Sequence, residues 1–153
     1  MAKKMIDISI LGDKQTARRL HRLVSKVQKR VVGKALRAGG KPVLAATKAK
    51  APVDTGRLKG SLKLRTARLS RRRKRQGEFG MEVRTGTREE LGLAPDATGY
   101  YPISQEYGWK LRGGGAAPAR PYMRPAADER RREALGIIGR EIASGVKREA
   151  RRR

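Results

Sequence analysis

The chain has no cysteine, a single histidine and few aromatic residues, which make up 4% of its 153 positions. Without cysteine there is no disulfide framework and no thiolate metal site. His21, the lone histidine, falls on the polar side of a helical pattern formed by Leu20, Leu23, Val24 and Val27. It reads as a solvated side chain rather than a general base. No His, Asp and Glu cluster at metal-ligand spacing, and neither Ser61 nor Ser104 has the flanking glycines of a nucleophile elbow. The pair Glu89-Glu90 reads as solvated charge. The run Arg112-Gly-Gly-Gly115 lacks the Lys-Ser/Thr ending of a phosphate-binding loop and reads as a flexible loop. Apolar runs are short as well. The N-terminal stretch is too brief and interrupted for a signal peptide, and nothing approaches the ~20 apolar residues that span a bilayer. These absences lead us to expect a soluble, cytosolically made chain with no catalytic activity, no cofactor and no metal.

Acidic residues are the other scarcity. Fourteen Asp and Glu face 39 Lys and Arg, for a formal net charge of +25. Such a surface repels its own copies, attracts polyanions and makes association sensitive to salt. Nucleic acid or an acidic protein surface are the matching partners. Hydrophobic residues supply 37% of the chain, against a usual apolar share of about 45–50%, so the core is lean.

The patterning predicts an α+β fold. Residues 5–11 alternate as a short strand, with Ile6, Ile8 and Ile10 on one side, and Gly12-Asp13 reads as a turn and helix N-cap. From Lys14, apolar residues through Val31, Ala35 and Leu36 recur at helical steps. A break fits near residues 28–33 or, better, at Gly39-Gly40, with Pro42 in the first turn of a new helical piece that Pro52 ends. Residues 57–69 and 78–85 read as antiparallel strands joined by a tip, 70–77, that carries Arg71, Arg72, Arg73, Lys74 and Arg75. Residues 86–99 read as a mobile loop, 100–107 as a short helix or turn, and 110–117 as a flexible loop. A final helix from about Pro125 carries Leu135, Ile138, Ile142 and Val146 as its apolar stripe. The expected architecture is a small, mostly antiparallel sheet with a long helical N-terminal half and a C-terminal helix packed on it. Residues 1–150 form one domain and 151–153 a basic tail.

Three segments stand out: APVDTGRLKGS at 51–61, YPISQEYG at 101–108 and ARPYMRPA at 119–126. In the first, Pro52 stops a helix, Asp54 and Thr55 suit a turn, and Gly56 suits a positive φ. With Ala51-Pro52, the segment Thr55-Gly56-Arg57-Leu58-Lys59-Gly60-Ser61, then Glu106-Tyr107-Gly108, then Ala119-Arg120-Pro121-Tyr122 ending in Pro125-Ala126, the chain resembles a family of tailed-phage morphogenesis proteins. That family is typified by gene product ten of a lambdoid phage: minor tail, tail-completion or head–tail joining proteins. The likeness spans about residues 15–145, and the basic tip, the 86–99 loop and the Arg-rich tail depart from its pattern.

The resemblance implies a non-enzymatic virion protein, made in the host cytoplasm, in the neck or tail. It implies a homo-oligomeric ring, hexameric or dodecameric, that contacts other neck, connector and tail proteins, lets DNA pass and touches no membrane. Within that reading, Pro52 to Gly56 set the angle between helix and sheet, and Arg57 and Arg120 each pair with Glu106. Tyr122 and Met123 anchor the last helix, while Tyr107 and Trp109 form a subunit contact. Arg71, Arg72, Arg73, Lys74 and Arg75, with Arg151, Arg152 and Arg153, are the candidate contacts to packaged double-stranded DNA or an acidic partner. The alternative is a non-specific nucleic-acid-binding basic protein; a small nuclease is the remote third reading, as the carboxylate cluster it needs is missing.

Overall fold

Helix α1 (Ser25–Lys50) is the spine on which the rest is assembled in a computed structural model that describes residues 25–53, 56–94, 101–110 and 113–151. The expected strand at 5–11, the helix start at 13–24 with His21, the turn residues Asp54 and Thr55, and Arg152 and Arg153 lie outside the described residues. After α1 come α2 (Arg57–Ser61), β1 (Lys63–Thr66), α3 (Arg71–Arg75), β2 (Met81–Arg84), α4 (Tyr101–Tyr107), β3 (Trp109–Lys110), β4 (Ala116–Ala117) and α5 (Met123–Ala150). Among the described residues, two antiparallel pairs, β1–β2 and β3–β4, make up the strand content. The α+β class is as expected.

The expected break at Gly39-Gly40 does not occur: α1 runs unbroken through both glycines and carries Pro42 in its interior. The reason is tertiary. The long helices α1 and α5 lie against each other, and Gly39 sits at the crossing. A Cβ there would stand 2.4 Å from Ile138 Cγ1 and 2.8 Å from the Ala134 carbonyl oxygen. Glycine allows two backbones to approach in a way no other residue permits, and the packing gained offsets its poor helix propensity. Gly145 does the same on α5, where a Cβ would fall 2.6 Å from Val31 Cγ1. Ion pairs Arg30–Glu149 (2.8 Å) and Lys50–Glu129 (2.9 Å) mark the two ends of this antiparallel contact.

Two apolar clusters follow from this frame. Val32, Ala35 and Leu36 of α1 meet Ile138 of α5, with Phe79, Met81 and Ile142 packed around them. Nearer the C-terminal end of α1, Val43 and Ala51 join Leu58, Leu62, Val83, Leu91, Tyr122 and Ala134. The stripe on α5 is shifted from the one expected. Ala134 and Ile138 are buried, whereas Leu135 is exposed, because the helix turns its small residues towards α1.

The corner at residues 51–61 is also different in detail. Helix α1 ends at Lys50, ahead of Pro52, and Gly56 adopts φ 72°, both as expected. Arg57 does not open a strand, however; it opens the helical turn α2. Leu58, Ser61 and Leu62 are buried while Gly60 is exposed, the i, i+3, i+4 pattern of a helical turn and not the alternation of a strand. The strand proper begins at Lys63 and pairs with β2 in the register Lys63↔Arg84, Leu64↔Val83, Arg65↔Glu82 and Thr66↔Met81. Leu64 faces Gly40 of α1, so this small sheet is pressed against the spine by one face.

Two expected loops are ordered where they are described. Leu91 is in the core, and residues 87–93 wind into a turn closed by Leu91 N–H to Thr87 O, Gly92 N–H to Glu89 O and Leu93 N–H to Arg88 O. Around the expected loop at 110–117, the pairs Trp109↔Ala117 and Lys110↔Ala116 make a short hairpin whose far end carries Gly113, Gly114 and Gly115.

Candidate functional site

The segments at 101–108 and 119–126 meet in one latch. Glu106, in the last turn of α4, is 2% exposed, and its carboxylate lies at the N-terminus of α5. Oε2 accepts the backbone N–H groups of Tyr122 (2.8 Å) and Met123 (2.9 Å), while Oε1 accepts the N–H of Arg124 (3.1 Å). The first N–H groups of a helix have no partner within it and carry the positive end of its dipole, so a buried carboxylate fits there. Arg124 completes the cage. Its Nε donates to Glu106 Oε1 and its second guanidinium nitrogen to the Glu106 carbonyl, each at 3.1 Å. One charge is thereby met by a charge and three backbone dipoles, which is the condition for burying a carboxylate.

This arrangement corrects the expected partners. Neither Arg57 nor Arg120 pairs with Glu106; the ion pair is with Arg124. Arg120 contributes its backbone, donating its N–H to the Gln105 carbonyl at 2.7 Å, and its side chain is exposed. Arg57 lies beside Gly92, whose φ is 66°. Order along the chain identified the two segments correctly, but not which arginine reaches across. Arg124 stands inside the ARPYMRPA segment, and its place in the first turn of a helix was the available signal.

Tyr122 is the anchor that was expected. It is fully buried, and its hydroxyl reaches the Pro102 carbonyl at 3.4 Å, tying the start of α5 back to α4. Tyr107 and Trp109 lie on the outer side of the latch, 49% and 43% exposed. The Arg124 guanidinium stands 4.9 Å from the Tyr107 ring centroid, a cation–π contact that ties the exposed ring to the buried carboxylate. Gly108 turns the chain between them at φ 74°. Pro118, Ala119 and Pro121 beside the hairpin are exposed too, so apolar surface and the cations Lys110, Arg120 and Arg124 alternate here.

The basic tip is built quite separately. Ser70 caps α3 by accepting the Arg73 N–H at 3.3 Å, and the helix closes at Gly77 through Gly77 N–H to Lys74 O and Glu78 N–H to Arg73 O, both 3.1 Å. The expected loop tip is therefore a helical turn, consistent with the helix propensity of Arg and Lys. Arg73 is held by Glu78 at 2.5 Å. Arg71, Arg72, Lys74 and Arg75 are exposed, and no described carboxylate pairs with them. Arg151, in the tail, is exposed. At the root of the tip Lys63 bonds Glu90 at 2.5 Å, which together with the Thr87 N–H holds the Glu90 carboxyl below its ordinary value. Lys50 does the same for Glu129 across the helix pair.

Among the described residues no group of three or more His, Cys, Asp and Glu is placed to hold a metal ion, and no helix is long and apolar enough to cross a membrane. Over residues 14–111 the sequence matches the family described as "Bacteriophage HK97-gp10, putative tail-component". No curated protein and no solved structure matches.

Proposed function

From the premise that the chain belongs to the bacteriophage HK97-gp10-like tail-component family, we propose that it is a non-catalytic subunit of a ring at the head–tail interface, where it completes or joins the tail and leaves a path for DNA. The family places the protein among phage tail components, and so in the virion. The observation that carries the finer reading is the latch. A lean protomer invests a buried carboxylate, an arginine and the start of α5 in fixing the two ends of one small hairpin, and then leaves Tyr107 at the end of α4 and Trp109 of the hairpin exposed. Aromatic side chains on a rigid base, ringed by cations, are the usual anchors of protein–protein contacts. Neighbouring subunits and adjoining neck proteins are the partners such a surface serves.

A free nucleic-acid-binding protein accounts for the net charge but gives the latch no purpose. The test is the particle. Removal of this protein from the phage that encodes it leaves filled heads and separate tails, and electron microscopy of intact particles shows it as a closed ring at the neck. Normal head–tail joining without it overturns the reading.

A further inference from the structure

We propose that the arm formed by β1, α3 and β2 is a binding surface for the phosphate backbone of double-stranded DNA, independent of the hairpin at the latch and of where the protein sits in the particle. Residues 63–84 carry nine cations (Lys63, Arg65, Arg68, the five of α3, and Arg84) against two acids, Glu78 and Glu82. Both acids are spent inside the arm, Glu78 on Arg73 and Glu82 on Arg84. At 100° per residue, Arg71, Arg72, Lys74 and Arg75 lie within an arc of about 160° on one side of α3, and Arg73 falls opposite them. That opposite side is the one tied to Glu78. Arg73 is thus a positioning residue: its ion pair fixes the roll of the helix so that the four unpaired cations face the same way.

The composition of the exposed surface selects the partner. Every exposed residue of the arm is polar: Lys63, Arg65, Thr66, Arg68, Ser70, Arg71, Arg72, Lys74, Arg75 and Gln76. Its apolar residues are spent on the root, where Phe79 and Met81 pack on the cluster around Ile138 and Leu64 and Val83 pack at the other. A protein interface draws its affinity from an apolar or aromatic centre, which this surface lacks. A single-strand platform needs exposed aromatic rings for base stacking, which it also lacks. A duplex backbone needs neither. Its affinity comes from counterions released as cations neutralise phosphates, and dense arginine without apolar anchors is the matching surface.

The test uses the full chain and fluorescence anisotropy with a labelled 20-base-pair duplex of arbitrary sequence, titrated across salt concentrations. In one variant Arg71, Arg72, Lys74 and Arg75 are all changed to Gln. A control of equal charge loss carries Arg131→Gln, Arg132→Gln, Arg140→Gln and Lys147→Gln, all exposed and unpaired on α5. The arm variant is expected to bind duplex at least about tenfold more weakly near 0.1 M salt, and its log–log salt slope flattens by about 3–4, at roughly 0.9 per lost contact. The control moves far less, a variant with Lys at all four arm positions retains binding, and Arg73→Gln weakens binding although it faces away from the phosphates. Equal loss in the arm and control variants would make the binding diffuse charge and overturn the proposal. So would no duplex binding by the unmodified chain, tighter binding of a single-stranded oligonucleotide, or an arm variant that keeps duplex affinity but loses affinity for polyglutamate. None of these results bears on whether the protein is built into particles, so failure here leaves the assembly reading to its own test.

Discussion

The latch around Glu106 and the arm around α3 solve opposite problems with the same residue type. At the latch, Arg124 is half withdrawn from solvent to satisfy a buried carboxylate, and it spends both its Nε and a terminal nitrogen on one glutamate. On the arm, four cations are left with no carboxylate while a fifth is used to aim them. Exposed aromatic surface is present beside the first and missing from the second. The net charge of +25 is therefore not of one kind: part of it is spent on carboxylates inside the fold, and part, on α3, is exposed with no described carboxylate beside it. Treating the chain simply as a basic protein would lose that division.

Removing the latch has the largest expected effect. Glu106→Ala leaves the N–H groups of Tyr122, Met123 and Arg124 unpaired in a buried setting, so it costs about 3–4 kcal/mol in urea unfolding, and α4 and α5 separate locally. A loss below 1 kcal/mol would show that the latch is not what holds these elements. Next comes the helix crossing. Gly39→Ala forces α1 away from Ile138 and the Ala134 backbone and destabilises the fold by about 1–3 kcal/mol, whereas Gly60→Ala, which meets open space, is neutral or mildly stabilising. Smaller still is Gly56→Ala, which places a side chain at φ 72° for about 1 kcal/mol, again read from denaturation midpoints.

Neutralising Arg71, Arg72, Lys74 and Arg75 sharpens the comparison from the other side: unfolding stability stays within about 0.5 kcal/mol of the parent, since these side chains hold nothing in the fold. The pH dependence is the weakest effect. Glu90 and Glu129 have folded-state values below their ordinary one, lowered chiefly by Lys63 and Lys50. Their contribution is therefore complete above pH 4.5 and is lost as pH falls below it through the folded values. Both are exposed, so Lys63→Met and Lys50→Met should lower a thermal-stability profile only slightly, with the full difference from the parent at neutral pH and none once pH has fallen below the folded values of the two carboxyls.

What the sequence made legible were its local rules. Pro52 as the end of α1, the positive φ at Gly56 and the antiparallel pairing of β1 with β2 follow from residue chemistry read in place, whereas the anchoring by Tyr122 came from the family resemblance. What stayed hidden depended on distant partners. Gly39-Gly40 looks like a break because propensity sees only the helix it weakens, and not Ile138 lying across it. Leu58 and Leu62 serve a strand pattern or a helical turn equally well until the core beneath them is known. The resemblance pairs Glu106 with Arg57 and Arg120, but only the three-dimensional path of α5 shows that Arg124 is the arginine within reach, while Arg57 on α2 lies beside Gly92.

In the proposed assembly, the exposed rings of Tyr107 and Trp109 join the protein to its neighbours while the arm serves DNA. Quantitative mass spectrometry of purified particles, complemented either with Tyr107→Ser plus Trp109→Ser or with the four-fold arm variant, tests it most directly. The arm variant should be present at the parental copy number, and the ring-deleted variant, though folded, should be absent from particles. The reverse pattern, with the arm needed for incorporation and the two rings dispensable, would contradict the account.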